Sequence, residues 1–376
     1  MARTSYNIAS INIGTITNTT KLNALRHFIS NQNLDIICLQ EVENEQLCLP
    51  GFAVFANVDH TRRGTAIALK QHIQATQIER SLDGRLTALR VQDTTICKIY
   101  APSGSAQRMA REICFNGTLA YYLRHHTPHV ILAGDFNCVL RACDSSSPNT
   151  SPALKTAVQQ LQLHDAWQKL YPRDAGFTYV CRNAQSRLDR IYVSRGLQKN
   201  LRTASTHVCS FTDHKALTAK ICLPHLGHEH GRGFWSLRPH LLTNENIAEF
   251  QYQWQYWTRQ RRNFGSWIEW WLSFAKHKIK TFFKRKSRAV FDEFNDEHQR
   301  LDAELRVAYD GYYQRPELLT TINRLKDEML TLQREFSHMF IRMNQTHVAG
   351  EPLSIFQVGE KLRKKNHHLA TSYKRK

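Results

Sequence analysis

One short stretch decides the fold of this chain, His129-Val-Ile-Leu-Ala-Gly-Asp-Phe-Asn137. The apolar run at 130–133 lies between a proline and a glycine, which is typical of a strand buried on both faces. Asp135 and Asn137 follow at its carboxyl end, where side chains two residues apart on extended backbone point the same way. The stretch therefore predicts either a strand that presents a carboxylate and an amide to a ligand or a strand that ends in an ordinary polar turn.

Polar residues end several apolar, strand-like runs in the first 223 residues, including the run at 130–133, and they are of the kinds that bind divalent metals and phosphate. These residues are Asn12, Glu41, Tyr100, Asp135, Asn137, Asp213 and His214, and Asp189 lies within a further run. The ends of strands in a two-layer sandwich can meet at one rim. The pattern therefore predicts a shared polar site.

The composition points to a polyanionic partner. The chain has 376 residues and a formal net charge of +19, and both the first 224 residues and the remainder carry an excess of basic residues. Nucleic acid is the first candidate partner, and an anionic membrane surface is the second. No apolar run approaches the length of a membrane span and no signal peptide is visible, so we expect neither a membrane protein nor a secreted one. Nine cysteines without paired metal-ligand spacing predict reduced thiols and a nuclear or cytoplasmic location.

Seven short motifs follow one another along the first 223 residues. They are Leu39-Gln-Glu41, Tyr100-Ala-Pro102, Gly134-Asp-Phe-Asn137, Leu163-His-Asp-Ala-Trp167, Phe177-Thr178, Ser186-Arg-Leu-Asp-Arg-Ile191 and Thr212-Asp-His-Lys215. In this order they resemble the endonuclease/exonuclease/phosphatase family and, within it, the endonuclease of non-LTR (LINE-type) retrotransposons. The resemblance implies a DNase I-like, four-layer α/β sandwich, which we expect at residues 1–224, followed by an all-α helical extension at 225–376.

The resemblance implies phosphodiester hydrolysis with Mg²⁺, or alternatively Mn²⁺. Glu41, together with Asn12, would bind the metal, because hard cations prefer carboxylate and amide oxygens. Asp213 would be a further metal ligand or an orienting group. Related abasic-site enzymes carry an acid where this chain has Gly14, and Thr15 replaces the glycine that follows. This departure argues against a second metal position and against specificity for abasic sites.

Five residues would act on the substrate phosphate if the resemblance holds. Asp135 would orient or deprotonate the attacking water. His214 would hold a phosphate oxygen, while Asp189 orders or charges its ring. Asn137 and Tyr100 would donate hydrogen bonds to the crowded oxygens of the transition state. The resemblance therefore implies one site that is assembled from separate strands.

Four further residues are candidates for contact with the substrate. Thr178 and Ser186 would support the rim of the site. Arg187 and Arg190 would either contact DNA phosphates or form salt bridges on the face of a strand, and the sequence leaves both alternatives open.

We expect an enzyme that nicks target DNA and leaves a 3′-hydroxyl for priming. An abasic-site repair endonuclease or exonuclease and a phosphoinositide phosphatase are alternatives, because a fold does not determine its substrate. A non-catalytic nucleic-acid-binding protein is a third alternative, from a different class. The basic surface and the tryptophan motif at 163–167 favour DNA.

The composition changes after residue 224. His225, His228 and His230 predict a flexible linker rather than a metal site, because no cysteine or acid cluster accompanies them. Six of the seven tryptophans follow between positions 235 and 271, and we expect them to pack helices together, with base stacking as the alternative. The stretch 233–237 resembles the segment that joins the endonuclease to a reverse transcriptase.

The last third of the chain predicts a basic segment and a helical hairpin. Residues 276–288 contain seven basic residues and no acid, which indicates either a contact with nucleic acid, with the element RNA as a candidate, or a nuclear import signal. Apolar residues spaced alternately four and three apart predict a hairpin at about 288–345, with its turn near 311–316 and either intramolecular or homodimeric packing. We find no paired-aspartate polymerase motif, so the chain is expected to be a separate endonuclease or a fragment of a longer polyprotein.

Overall fold

The computed structural model describes residues 3–16, 18–60, 63–123, 128–181, 184–224, 237 and 241–345. The strands are β1 (Arg3–Asn12), β2 (Ile36–Gln40), β3 (Phe52–Val58), β4 (Gly64–Lys70), β5 (Gln77–Arg80), β6 (Leu86–Val91), β7 (Thr94–Tyr100), β8 (His129–Asp135), β9 (Leu163–Asp165), β10 (Tyr179–Cys181), β11 (Ala184–Ser186), β12 (Asp189–Ser194), β13 (Leu201–His207) and β14 (Ala216–Pro224). The helices are α1 (Thr19–Asn31), α2 (Arg108–Ile113), α3 (Ala120–Leu123), α4 (Pro152–Gln160), α5 (Ala166–Leu170), α6 (Asn244–Arg259), α7 (Trp267–Trp270), α8 (Lys276–Tyr312) and α9 (Leu318–Gln345).

Two six-stranded mixed sheets form the centre of the fold. Their strand orders are β13-β14-β1-β2-β4-β3 and β5-β6-β7-β8-β12-β9. One pair of neighbours in each sheet is parallel, namely β1 with β2 and β7 with β8. Strand β8 lies between β7 and β12 and is buried along nearly its whole length, which confirms the strand predicted from residues 130–133.

Apolar clusters join the sheets and helices into four layers. Ile8 of the first sheet and Ile131 of the second share the cluster between the sheets. Leu25 of α1 belongs to a cluster with the opposite face of β1 and β2, and Phe115, between α2 and α3, packs with the outward residues of β7 and β8. Because both faces of the central strands are covered, their sequences are apolar almost without interruption. The predicted four-layer α/β sandwich is confirmed.

Helices α8 and α9 form the predicted hairpin. Leu301 and Leu305 of α8 share an apolar cluster with Ile322, Leu325 and Met329 of α9, so the arms pack intramolecularly. The first arm begins earlier than predicted, because the basic segment 276–288 contains no glycine or proline and is continuous with the rest of α8.

The chain divides into two compact units. Among the described residues, the first contains those between 3 and 224 together with 300–333, and the second contains those between 237 and 299 together with 334–345. The far end of the hairpin therefore belongs to the unit that holds the two sheets. The predicted domain boundary at residue 224 stays a prediction.

The second unit has an aromatic core of its own. Phe250 and Trp257 of α6 pack with Ile279, Phe282 and Phe283 of α8. This packing agrees with the role predicted for the tryptophans, and Trp270 is also buried. Trp235 and the three linker histidines lie outside the described residues. Among the helices that are described, none is long and apolar enough to cross a bilayer.

Candidate active site

Strand register brings the predicted polar residues into a row at one edge of the sandwich. Asp135, at the end of β8, lies opposite Asp189 of β12 on one side and opposite Tyr100 of β7 on the other. In the facing sheet, Asn12 at the end of β1 is paired with Gln40 at the end of β2. The chain therefore delivers polar groups from both sheets to the same rim.

Asp189 and His214 form a buried pair. The Nδ1 atom of His214 lies 2.8 Å from Oδ2 of Asp189, and because a carboxylate only accepts hydrogen bonds, the ring donates. Burial disfavours the charged ring, but the charge and hydrogen bond of Asp189, followed by the charges of Asp135 and Asp213, raise the pKa of His214 to about 10. The hydroxyl of Thr178 accepts the backbone N–H of Asp189 at 3.0 Å and so holds the start of β12 in place.

Asp135 is almost wholly buried. Its Oδ1 atom accepts the backbone N–H of Asn137 at 2.9 Å. Burial, and then the negative charge of Asp189, raise the pKa of Asp135 to about 6. Asn137 has a φ of 50°, in the left-handed region that asparagine tolerates better than most residues, and its Nδ2 donates to the carbonyl of Ala101 at 2.9 Å. This turn aims the carboxylate and the amide toward the same rim.

Glu41 accepts two hydrogen bonds on one oxygen. Asn12 Nδ2 donates to Glu41 Oε1 at 2.9 Å, and the Tyr100 hydroxyl donates to the same atom at 3.1 Å. The pKa of Tyr100 is raised by burial and then by the charge of Glu41, so its hydroxyl keeps its proton. Glu41 has a φ of 60°, a strained conformation for a non-glycine residue of the kind that clusters at functional sites.

The donor set at this rim suits a hard cation. Carboxylate oxygens of Asp135 and Asp189 and a ring nitrogen of His214 lie within 4.8 Å of one another, and the two carboxylates are the acidic donors of this cluster. Carboxylate oxygens of this kind are the ligands that hard divalent cations take. The described residues thus contain a possible acidic metal site. Asp213 lies beside it in sequence, but its side chain is exposed and receives a 3.5 Å hydrogen bond from Thr212. Its predicted role as a ligand stays a prediction.

Residues 4–214 match the profile described as "Endonuclease/Exonuclease/phosphatase family". The chain belongs to this family. It is also 27% identical over 240 residues to the transposon TX1 uncharacterized 149 kDa protein of Xenopus laevis, a match that covers 60% of this chain and 18% of that protein. The predicted membership of the family is confirmed, and the relative agrees with the resemblance to a retrotransposon endonuclease.

Two solved structures share the fold of this endonuclease/exonuclease/phosphatase domain. An AP endonuclease from Archaeoglobus fulgidus aligns with a TM-score of 0.50 at 20% identity, over 57% of this chain and 99% of that one. A 3′ phosphatase from Neisseria, bound to a product DNA hairpin, aligns with a TM-score of 0.50 at 17% identity, over 57% of this chain and 99% of that one. Family membership supports a hydrolase acting on phosphodiester bonds.

Arg187 and Arg190 are not placed to contact DNA in this domain. Both side chains are buried at 1% exposure or less. Nη2 of Arg187 lies 3.0 Å from Oδ2 of Asp144, and Asp165 also pairs with Arg187. Nη2 of Arg190 lies 3.5 Å from the same Asp144 oxygen. We therefore correct the predicted substrate-binding role of the two arginines in favour of the salt-bridge alternative, because buried guanidinium groups require buried partners.

Thr178 and Ser186 support the site from within the domain. Thr178 is fully buried and serves Asp189 through the hydrogen bond described above. The Ser186 hydroxyl lies 2.7 Å from that of Ser145, which connects β11 to a neighbouring loop. These contacts are consistent with the predicted support of the rim, whereas a contact of either residue with substrate stays a prediction.

Sequence reasoning assigned no role to two residues directly below the rim. Gln40 is the middle residue of the motif at 39–41, and its Nε2 donates to Asp189 Oδ1 at 2.6 Å. Lys98 lies in the apolar strand β7 and is wholly buried. The available signal was the alternation along β7, which places Lys98 on the same face as Tyr100 and makes a charged residue there an exception.

Proposed function

We propose that this chain is a DNA endonuclease that uses a divalent metal ion, nicks target DNA and leaves a 3′-hydroxyl for target-primed retrotransposition. The observation that carries the proposal is the row of Asp135, Asp189 and Tyr100, together with the hydrogen bond from His214 to Asp189. Carboxylates, a ring donor and a phenol at one rim are the groups that phosphodiester hydrolysis needs.

Glu41 is the proposed ligand for Mg²⁺, with Mn²⁺ as the alternative. The hydrogen bonds from Asn12 and Tyr100 both fall on Oε1, so Oε2 is the atom proposed to bind the metal. Asn12 would orient this carboxylate, and Asp213 is proposed as a further ligand or orienting group. The metal would supply positive charge to the phosphate oxygens.

For the other side chains of the rim, each proposed role uses an atom that the hydrogen bonds of the structure leave available. Asp135 uses Oδ1 to accept the N–H of Asn137, so Oδ2 is proposed to orient the water and accept its proton. His214 uses Nδ1 to bond Asp189, so Nε2 is proposed to bind a phosphate oxygen. Asn137 retains one amide hydrogen beyond its bond to Ala101, and that hydrogen is proposed to donate to the same phosphate.

The decisive experiment is the nicking of supercoiled plasmid by the purified full chain, with Mg²⁺, with Mn²⁺ and with EDTA. We expect nicking only with metal, and loss of nicking in Asp135→Ala and His214→Ala. Asp93→Asn is the matched control, because Asp93 is a half-exposed acid that precedes β7 at the end opposite to Tyr100. Sealing of the nick by DNA ligase without further treatment would show a 3′-hydroxyl. Parental nicking by both alanine variants would refute the proposal.

The structural relatives provide the second candidate, an AP endonuclease or 3′ phosphatase, since both names occur among proteins of the same fold. Rates on an abasic duplex, a 3′-phosphate end, an undamaged supercoiled plasmid and a phosphoinositide would separate the candidates. Fastest cleavage of the undamaged plasmid supports the first proposal. DNA binding without cleavage of any substrate would support the non-catalytic alternative.

The basic segment of α8 is the proposed site for the element RNA and for nuclear import. Lys276, Lys278, Lys284 and Arg288 are exposed, and the stretch 276–288 contains no acid. Replacement of these four residues by glutamine should weaken RNA binding in a mobility-shift assay and move a fluorescent fusion from the nucleus to the cytoplasm. Unchanged RNA affinity and unchanged localisation would refute this part of the proposal.

A further inference from the structure

Lys98 lies one layer below the rim of the site. Alternation along β7 puts Ile96, Lys98 and Tyr100 on the face toward the other sheet, and Ile96 belongs to the cluster between the sheets. Lys98 pairs in register with Ala133 of β8, two residues before Asp135. The side chain therefore separates the apolar interior of the sandwich from the polar row that ends it.

The ammonium group of Lys98 begins a chain of buried hydrogen bonds that reaches the histidine. Its Nζ donates to Oε1 of Gln40 and, at 3.3 Å, to the hydroxyl of Ser10. Gln40 Nε2 donates to Asp189 Oδ1 at 2.6 Å, and Asp189 Oδ2 accepts from His214. Lys98, Gln40, Ser10 and Asp189 are all fully buried. This series of hydrogen bonds runs from Lys98 on the second sheet to Gln40 on the first sheet and returns to Asp189 on the second.

The chemistry of these groups determines which atom donates and which accepts at each step of this series of hydrogen bonds. A glutamine amide can turn its oxygen or its nitrogen toward a neighbour, whereas an ammonium can only donate and a carboxylate can only accept. Lys98 therefore holds the amide oxygen of Gln40, which leaves the nitrogen to face Asp189. With one oxygen of Asp189 satisfied by Gln40, the other is available to hold the ring of His214.

A purely structural role does not account well for this lysine. The hydrogen-bond partners of Lys98 are the neutral groups of Gln40 and Ser10, and the ion pairs found among the described residues do not include it, although an ammonium group is costly to bury without an opposite charge. Burial lowers the pKa of Lys98 to about 8, against the opposing effect of Cys38, Asp189 and Asp135. The two carboxylates among these groups, Asp189 and Asp135, both belong to the candidate active site.

We propose that Lys98 is a positioning residue, which orients Asp189 and His214 through Gln40 without touching the substrate. The inference rests on the proposed function for its effect on catalysis, but its effect on the geometry of the His214–Asp189 pair is independent of that function.

The first test is Lys98→Met in the full chain, with kcat and KM for plasmid nicking measured separately. Loss of a supporting hydrogen-bond partner of this kind typically costs about 10- to 100-fold in activity, and we expect the loss in kcat with little change in KM. Thr87→Val is the matched control, because Thr87 is buried on β6 beside Lys98. Its hydroxyl forms a hydrogen bond with Thr65 and not with Lys98, Gln40 or Asp189. The control should retain the parental kcat even if its Tm falls.

A second variant guards against misfolding. Gln40→Glu keeps the size of the side chain and the acceptor for Lys98, but it replaces the donor that faces Asp189 with a second acceptor. We expect a loss of kcat similar to that of Lys98→Met. Near-additive losses in the double variant would contradict action of Lys98 through Gln40, because two residues on one path should not contribute independently.

The readout that does not need activity is the NMR signal of the Nδ1 proton of His214, assigned by its absence in His214→Asn. We expect a downfield signal in the parent and in Thr87→Val, and a shifted or exchange-broadened signal in Lys98→Met and Gln40→Glu. Parental kcat and a parental proton signal in folded Lys98→Met would overturn the inference. If the parent protein shows this signal but nicks no DNA, the proposed function is refuted. The positioning role is then decided by whether the signal changes in Lys98→Met.

Discussion

Asp189 connects the candidate active site at the scale of single residues. Its two carboxylate oxygens accept from Gln40 and His214, and its backbone N–H donates to Thr178. Its charge also raises the pKa of both Asp135 and His214. One buried carboxylate therefore fixes the orientation of the ring and the electrostatic environment of the neighbouring acid.

Asp189→Asn should reduce the single-turnover nicking rate by about 100-fold or more, because a neutral amide no longer fixes the protonated ring of His214. DNA affinity, measured by fluorescence anisotropy with EDTA present, should change little. Asp93→Asn again serves as the charge-matched control. A nicking rate within twofold of the parent would contradict the role assigned to Asp189.

His207 gives a pH prediction for stability. Burial, and then the positive charge of Arg306, lower the pKa of His207 to about 4 from an ordinary value of 6.5. The unfolded chain therefore takes up a proton below pH 6.5 that the folded chain does not take up until about pH 4, so stability falls as the pH drops through this window. His207→Gln should lose less Tm between pH 7 and pH 4.5 than the parent. His277→Gln, an exposed control, should follow the parent.

The loop between β13 and β14 connects the candidate active site to the packing of the hairpin, because it carries His214. The end of the α8–α9 hairpin packs against it within the same compact unit: Val208 shares a cluster with Leu305, and the Ser210 hydroxyl donates to Gln333 at 3.2 Å. Lys326 Nζ donates to the carbonyl of Thr212 at 2.8 Å. Residues far outside the family match thus hold the loop that presents the histidine.

Lys326→Met should loosen this loop. We expect the free energy of unfolding to fall by about 1–3 kcal/mol, since the carbonyl of Thr212 loses a charged donor, and hydrogen exchange at 210–215 to become faster. Arg324→Met is the control two residues away, an exposed residue paired only across one helical turn with Glu328, and it should cost less than about 0.5 kcal/mol. Equal effects of the two variants would show that the contact does not restrain the loop.

At the scale of the whole molecule, charge is the dominant property. The net charge of +19 is spread over both parts of the chain, and in the second unit exposed cations lie on a helix whose other face packs against aromatic side chains. Such a surface binds phosphates mainly through the release of counterions.

The affinity for undamaged duplex DNA should therefore fall steeply with salt. If six to ten phosphates are contacted, the loss is about 10³- to 10⁵-fold between 50 and 200 mM salt. The quadruple glutamine variant of Lys276, Lys278, Lys284 and Arg288 should reduce the slope of log K against log salt by about 0.9 for each phosphate contact that is lost. An unchanged slope would exclude this face from duplex binding.

Much of the site could be predicted because the relevant signal is local. An apolar strand followed by a carboxylate, an amide or a histidine indicates which residues end at a rim, and the order of such motifs identified the family whose profile matches residues 4–214. The hairpin was likewise visible in the spacing of its apolar residues. The earlier start of α8 was missed because a basic segment gives no apolar signal of its own.

The sequence by itself determined the family, the strands, and the polar side chains that end those strands at the candidate site. Only the tertiary structure decided that Arg187 and Arg190 are buried against Asp144, that Gln40 bonds Asp189 across 149 positions of sequence, and that the end of the hairpin packs on the loop of His214. The physical reason is that local patterns report which face of an element is apolar. The partner of a buried polar group is chosen by the register and stacking of elements that are distant in the chain.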